Sequence, residues 1–348
     1  MDGLSQFNTM LQLLPQPAFR VENGIITHVN QAAAACCLQP GDSFPAMITS
    51  GRQEYEDFTD GTLYVTLTLA EHPMGACIVR TEQQDLVTLE QAAEIPQLQS
   101  LALAARELRK PLDGAVAIAE KIESKQEAAQ MNRRLYQAMR ILNNMSDAID
   151  FAQAEAKQLE PVEIGIFLRE ILEKATSLLP GSGTQLHYEL PDYPIFTLAD
   201  PVKLERAVYN LLANAIKFAT PDTPVQVKLV HKDKRLYFSV ANCHDNPNAL
   251  GNLFNRFLRE PGLEDPKNGL GLGMVMIRAA AAIHGGAVLV DQTHNSIRIT
   301  LSLQIQSSTS SQVRSPQLRF DYTGGRDHCL LELSEVLPLQ HYHPDNIL

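Results

Sequence analysis

Four short stretches carry residues whose types and spacing could do chemistry. In "RELRKPL" (106–112), Arg106, Arg109 and Lys110 place three cations within about one helical turn, around the acid Glu107. A guanidinium has no free nucleophilic lone pair near neutral pH, because its pKa lies above about 12, so Arg106 can pair with an anion but cannot attack an electrophile. In "NLLANAIKF" (210–218), Asn210 and Asn214 are spaced i, i+4 and share one helix face, with Lys217 following. In "NGLGLGMVMI" (268–277), Gly269, Gly271 and Gly273 stand directly before a helical run. Without a Cβ, such a backbone can come close to a phosphate at a helix N-terminus. The fourth stretch, "NCHDN" (242–246), follows the strand-like "LYFSV" and ends it in two amides and an imidazole.

These stretches need elements to hold them. Leu101, Ala105, Leu108, Leu112, Val116, Ala119 and Ile122 recur at steps of three and four, as do Leu135, Met139, Leu142, Met145 and Ile149. Two amphipathic helices separated by the polar "ESKQEAAQ" make a hairpin over 86–158. One hairpin buries little by itself, so a second chain completing a four-helix bundle is its natural partner; packing onto the rest of the chain is the alternative. Residues 159–305 alternate helices and strands. Asp200 is placed to cap a helix that starts at Pro201, and Gly285-Gly286 closes another. At the front, Asn23-Gly24 between "AFRV" and "IITHV" is a two-residue hairpin turn, and Asn30 opens a helix. "TLYVTLTLA" and "GACIVRT" are further β-rich runs. "QSSTSSQVRSP" (306–316) is a polar linker. The tail, 317–348, combines a short strand, a Gly-Gly turn and a short helix, with enough apolar residues to dock on the body or on a partner.

Taken in order, residues 101–305 resemble the transmitter region of the sensor histidine kinases. "RELRKPL" is similar to the family's "HELRTPL" box, with Glu107 and Pro111 kept. The phosphoacceptor His is replaced by Arg106, and the Thr that serves phosphatase action by Lys110. No His lies within 86–158. "NLLANAIKF" resembles the asparagine box. The resemblance implies that Asn210 and Asn214 line the nucleotide site, that Asn214 supplies an oxygen to Mg2+, and that Lys217 faces the phosphates. Read without the resemblance, the same residues are a polar stripe on an amphipathic helix. "GLGLG" resembles the second glycine box, and Phe254 and Phe257 in "NLFNRF" the aromatic box. "NCHDN" departs from the family's D-x-G-x-G: Asn242 stands for the adenine-reading Asp, and His244 and Asn246 for the glycines. A neutral amide replaces a charge-assisted bond, a loss of about 1 kcal/mol. Asn246 tolerates a positive φ better than most residues. Residues 1–85 resemble a PAS sensor domain; some other small α+β module is the alternative.

The resulting expectation is a multidomain α+β chain. It has a PAS-like α+β domain (1–85), a dimerising helical hairpin (86–158), an α/β sandwich ATP-binding domain (159–305), a linker (306–316) and a docking tail (317–348). The implied cofactors are ATP and Mg2+. The implied partners are a second copy through 86–158 and a response-regulator receiver domain or a partner histidine kinase. The function this implies is a kinase homologue in two-component-type signalling that does not phosphorylate itself on the box helix. Two alternatives stay open: an active kinase using a His elsewhere, such as His244 or His284, or in trans; and a nucleotide-independent dimeric scaffold. The net charge of -11 over 348 residues argues against a general nucleic-acid binder. No apolar run approaches the ~20 residues that span a bilayer, and the N-terminus lacks a secretory pattern, so the expected location is cytoplasmic. The five cysteines show no zinc spacing and read as thiols in a reducing compartment.

Overall fold

The Asn23-Gly24 turn forms as its chemistry dictates. Both residues take positive φ, 51° and 78°, and join β1 (Ala18–Glu22) to β2 (Ile25–Val29) as an antiparallel hairpin. The structure is a computed structural model that describes residues 11–81, 84–89, 95–119, 121–152, 159–244, 272–306, 323 and 325–347. Asn30 is buried and caps α1 (Gln31–Ala35). Its Oδ1 accepts the Ala33 N–H at 2.8 Å and the Ala18 N–H at 3.0 Å, so one amide both starts the helix and fixes the strand beside it. Next come β3 (Ile48–Ser50), α2 (Arg52–Asp57), β4 (Gly61–Leu69), β5 (His72–Arg80) and β6 (Asp85–Leu89). The strands lie in the order β2-β1-β6-β5-β4, each pair antiparallel. The expected change to helix at 86 is corrected here. "DLVTL" alternates buried and half-buried positions and is the central strand β6, held between β1 and β5.

Two long helices follow, α3 (Ile95–Ala119) and α4 (Lys125–Ala152), packed on each other. Pro111 lies inside α3. Their apolar stripes are not equally covered. Ala105, Ala119, Leu135 and Met139 are buried, but Leu108 is 52% exposed, together with Leu103, Ile118, Met131 and Ile141. The inner side of α4 meets the next unit and the tail, which leaves an apolar outer face on the pair.

In that unit β7 (Glu160–Glu163) leads into α5 (Ile164–Leu178), β8 (Leu186–Glu189) and β9 (Phe196–Ala199); β7 and β9 form a two-stranded sheet of their own. Asp200 caps α6 (Pro201–Phe218) by accepting the Lys203 N–H at 3.1 Å, with Pro201 at the first helical position. β10 (Val225–Lys232), β11 (Arg235–Cys243), α7 (Leu272–Ile283), β12 (Val288–Gln292) and β13 (Ser296–Gln304) complete the unit. Its strands run β12-β13-β11-β10-β8. The β10–β8 pair is parallel and the others antiparallel, which is the mixed sheet expected for 159–305. Apolar residues of α5, α6, α7 and the inner face of this sheet share one core.

The two sheets are joined edge to edge. β4 pairs with β12 antiparallel, matching Thr62, Leu63 and Tyr64 with Val290, Leu289 and Val288. Farther along the same side of β4, Thr66 and Leu67 pair with β3. The result is one eleven-stranded sheet. Around the join, Ser50 Oγ donates to the Gly286 carbonyl at 2.7 Å, and Arg235 Nη1 donates to the Gly285 carbonyl at 2.7 Å. Arg235 Nη1 also lies 3.0 Å from Oε1 of Glu54, whose side chain is wholly buried. Gly51, at φ 87°, sits where a Cβ would come 2.7 Å from that of Ala287, so the two modules touch backbone to side chain.

The end of the chain docks on the body. α8 (His328–Glu332) is capped by Asp327 and packs on α4, α5 and α6, and two short 3-10 turns, Leu339–Tyr342 and Pro344–Asn346, then lie against α4. Leu330, Leu331, Leu333, Leu337 and Tyr342 are buried in the core of 159–305. The Tyr342 ring meets Tyr136 of α4 edge-on at 5.4 Å. The strand expected early in the tail falls outside the described residues, as does most of the 306–316 linker.

Candidate functional site

α6 sets the geometry of the candidate site. Its start is fixed by the Asp200 cap, and its end by a bond from the Thr220 N–H to the Cys243 carbonyl (2.9 Å), which ties it to the end of β11. Asn242 therefore lies beside the end of α6, and α7 packs along the helix's side. Asn210 is 2% exposed and its amide is fully engaged. Nδ2 donates to the Arg206 carbonyl at 2.8 Å, and Oδ1 accepts from Arg140 Nη2 at 3.3 Å. Gly273, in the first turn of α7, is where a Cβ would stand 2.8 Å from Asn210 Oδ1. This glycine is thus needed for α7 to approach α6, whatever else it does. Asn214, one turn on, is half-buried and makes no hydrogen bond among the described residues, so its oxygen is available to a ligand. Asn242 is buried at the end of β11. Its Nδ2 donates to the Cys243 carbonyl at 3.0 Å, which leaves the amide oxygen as the group able to accept. His244, 9% exposed, has both ring nitrogens without a hydrogen-bond partner among the described residues.

Lys217 does not stand free. Its Nζ is 2.8 Å from Oε2 of Glu335 in the docked tail. Glu335 Oε1 also lies 3.5 Å from Arg140 Nη1. Burial pushes the Glu335 carboxyl up, but the bond from Lys217 and the charge of Arg140 together outweigh it and hold it below its ordinary value. Glu332, with a wholly buried side chain, sits 3.4 Å from both Arg140 Nε and Arg206 Nε. Arg206 Nη2 donates to Asn144 Oδ1 at 2.7 Å. One charged network thus joins α4, α6 and the tail, and Asn210 is part of it.

The sequence-predicted residues divide accordingly. Asn210, Asn214, Lys217 and Gly273 come together on α6 and α7, with Asn242 at the adjoining strand end. Gly269, Gly271, Asn246, Phe254 and Phe257 fall outside the described residues. Arg106 and Lys110 lie in the backbone of α3, with side chains outside the described set; Glu107 is exposed and Arg109 half-buried. Arg140, Arg206, Glu332 and Glu335 were not marked by any motif. Two signals could have found them. Arg206 precedes Asn210 by one turn on the same face, and Glu332 is an acid enclosed by leucines in "CLLELSEVL". The residues present fit a nucleotide in part: an open amide oxygen at Asn214 and an acceptor at Asn242, but a lysine already paired and, at Gly273, a missing Cβ whose room is taken by Asn210.

His284, one of the alternative phosphoacceptors, is 2% exposed. Its Nε2 accepts the Asp200 N–H at 2.9 Å, so Nδ1 carries the proton toward the Ala280 carbonyl. Burial lowers its pKa, which keeps it neutral, and both nitrogens are occupied.

Residues 199–307 match the family model of the histidine kinase-, DNA gyrase B-, and HSP90-like ATPases. The sensor histidine kinase GacS of Pseudomonas protegens is 24% identical over 94% of this chain and 39% of its own length. The histidine protein kinase DivJ of Caulobacter vibrioides is 31% identical over 43% of this chain and 26% of its own. Among solved structures, full-length ShkA in complex with AMPPNP aligns with a TM-score of 0.47 and 22% identity, covering 60% of this chain and 47% of that one. The chain thus spans between about a quarter and two fifths of the length of these curated relatives. Among the described residues, no helix is long and apolar enough to cross a membrane.

Proposed function

This chain is a homologue of the sensor histidine kinases, with an ATPase-type domain at 199–307, and we propose that it is a nucleotide-binding regulator that does not phosphorylate itself on its helix pair. One observation carries this reading. In "RELRKPL", which resembles the family's "HELRTPL" box, Arg106 stands in the place of the phosphoacceptor His, and residues 86–158 contain no histidine. A guanidinium cannot replace an imidazole as nucleophile. His284 is an unsuitable substitute, because both of its nitrogens are already bonded inside the fold.

In this reading ATP binds between α6 and α7. Asn214 would supply an oxygen to Mg2+ and Asn242 would accept from the base. The N-terminal module acts as a PAS-like input domain. Leu103, Leu108, Ile118, Met131 and Ile141, all exposed on the outer face of α3 and α4, support a dimer through the helix pair. The cations Arg106, Arg109 and Lys110 then meet an acidic pocket on a response-regulator receiver domain or a partner kinase. The Lys217–Glu335 pair favours a second reading, a scaffold that binds no nucleotide.

Two measurements separate them. Mg-ATP should raise the melting temperature of the full chain. At one hundred times Kd, the stabilisation is about 2.7 kcal/mol. Asn214→Ala should abolish the shift; no shift in the unaltered chain at millimolar nucleotide selects the scaffold. With γ-labelled ATP, no acid-labile, base-stable label should appear on this chain, and its appearance would overturn the proposal.

A further inference from the structure

The charged network between α4, α6 and the tail has a consequence for the nucleotide site. We propose that Glu335 is a built-in competitor of the nucleotide phosphates: its carboxylate occupies Lys217 and must be displaced before the triphosphate can take that lysine. The proposal rests on the nucleotide reading above. Its own observations are the 2.8 Å contact of Glu335 with Lys217 and the 3.5 Å contact with Arg140. A carboxylate held by two cations satisfies the charge that a phosphate would otherwise satisfy.

Chance does not place Glu335 there, because the segment on both sides of it is fixed. Leu331, Leu333 and Leu337 are wholly buried in the core. Arg133 donates to the Ser334 carbonyl at 3.3 Å and to the Glu335 carbonyl at 3.0 Å, and Gln137 donates to the Ser334 carbonyl at 3.1 Å. The backbone of 334–335 is thus fastened to α4 by three side-chain bonds. The carboxylate alone is part-exposed, at 31%, and Lys217 is 23% exposed. Exchange therefore needs a side-chain rotation and no undocking of the tail.

The same geometry gives the exchange a readout at the helix pair. Arg140 belongs to α4 and contacts Glu335, Glu332 and the Asn210 oxygen together. When phosphate takes Lys217, the Glu335 carboxylate is left with Arg140 as its cation. Nucleotide occupancy is thereby felt on α4, through side chains that touch in sequence.

Calorimetric titration of Mg-ATP into the full chain tests this. Glu335→Gln removes the competing charge and should tighten binding roughly two- to fivefold, the range expected for a part-exposed ion pair. The gain must run through the lysine, so Glu335→Gln should bring none in a Lys217→Ala background. Melting curves of the unliganded variants confirm that each is folded. Equal affinity of the unaltered chain and Glu335→Gln overturns the competitor while leaving the nucleotide reading intact. An equal gain with and without Lys217 also overturns it. Binding by neither form at millimolar Mg-ATP overturns both.

Discussion

Glu332→Gln is expected to destabilise the full chain by about 3–5 kcal/mol, measured as a lower midpoint in chemical denaturation followed by circular dichroism. The carboxylate has no exposed surface and stands 3.4 Å from each of two buried guanidinium nitrogens. Removing it leaves Arg140 and Arg206 facing each other in the interior with their shared counter-charge gone. The cost comes from losing the buried carboxylate that the two cations share, so it should fall when a cation is removed as well. Glu332→Gln with Arg140→Met should be less damaging than the two single losses added together. Asp345→Asn provides the contrast. That residue pairs with Lys125 at 2.8 Å, but both side chains are well exposed, and the curve should stay in place. A loss under about 1 kcal/mol for Glu332→Gln would mean that the two guanidinium groups do not depend on this carboxylate for their stability in the interior.

The second large effect is expected at the join between the sheets. Arg235→Met takes the cation away from Glu54, leaves that buried carboxylate alone, and removes the bond to the Gly285 carbonyl. The penalty is again about 3–5 kcal/mol, but it falls on the contact between modules and not inside one of them. In calorimetry the unaltered chain should melt as one unit, because β4 and β12 make a single sheet. Arg235→Met should split the transition, with the N-terminal module melting first. A single unchanged transition would show that the three residue pairs of β4 and β12 suffice without the ion pair.

How much of this was legible in the sequence depended on whether the cause was local. Asn23-Gly24, Asn30 and the Asp200-Pro201 start of α6 each act on backbone within a few residues, and each can be read directly. The i, i+4 spacing of Asn210 and Asn214 placed both on one helix, but it did not show that Asn210 would be spent on Arg206 and Arg140. Those partners lie 4 and 70 residues away, and only tertiary packing selects between such a bond and a ligand. β6 was lost for a similar reason. "DLVTL" is five residues beside a helical run, and what makes it a strand is the pair of edges, β1 and β5, waiting for it. Leu108 sits in the stripe that should face inward, and it is exposed because α4 turns toward α7 and the tail. The Lys217–Glu335 pair spans 118 residues and could not be read from either motif alone.

The join between β4 and β12 also bears on how the ATPase-type domain behaves when it is handled alone. Within its own sheet β12 is the terminal strand, and its first residues, Val288, Leu289 and Val290, are the ones β4 covers. Cut away from the N-terminal module, that domain would present these three apolar residues with open backbone donors and acceptors, a template for any strand that meets it. Among the described residues of the whole chain the sheet instead ends at β2 and β8, far from this stretch in strand order. The excised domain is therefore expected to be less soluble than the full chain, and such a loss would report the missing neighbour, not a defect of the domain's own fold.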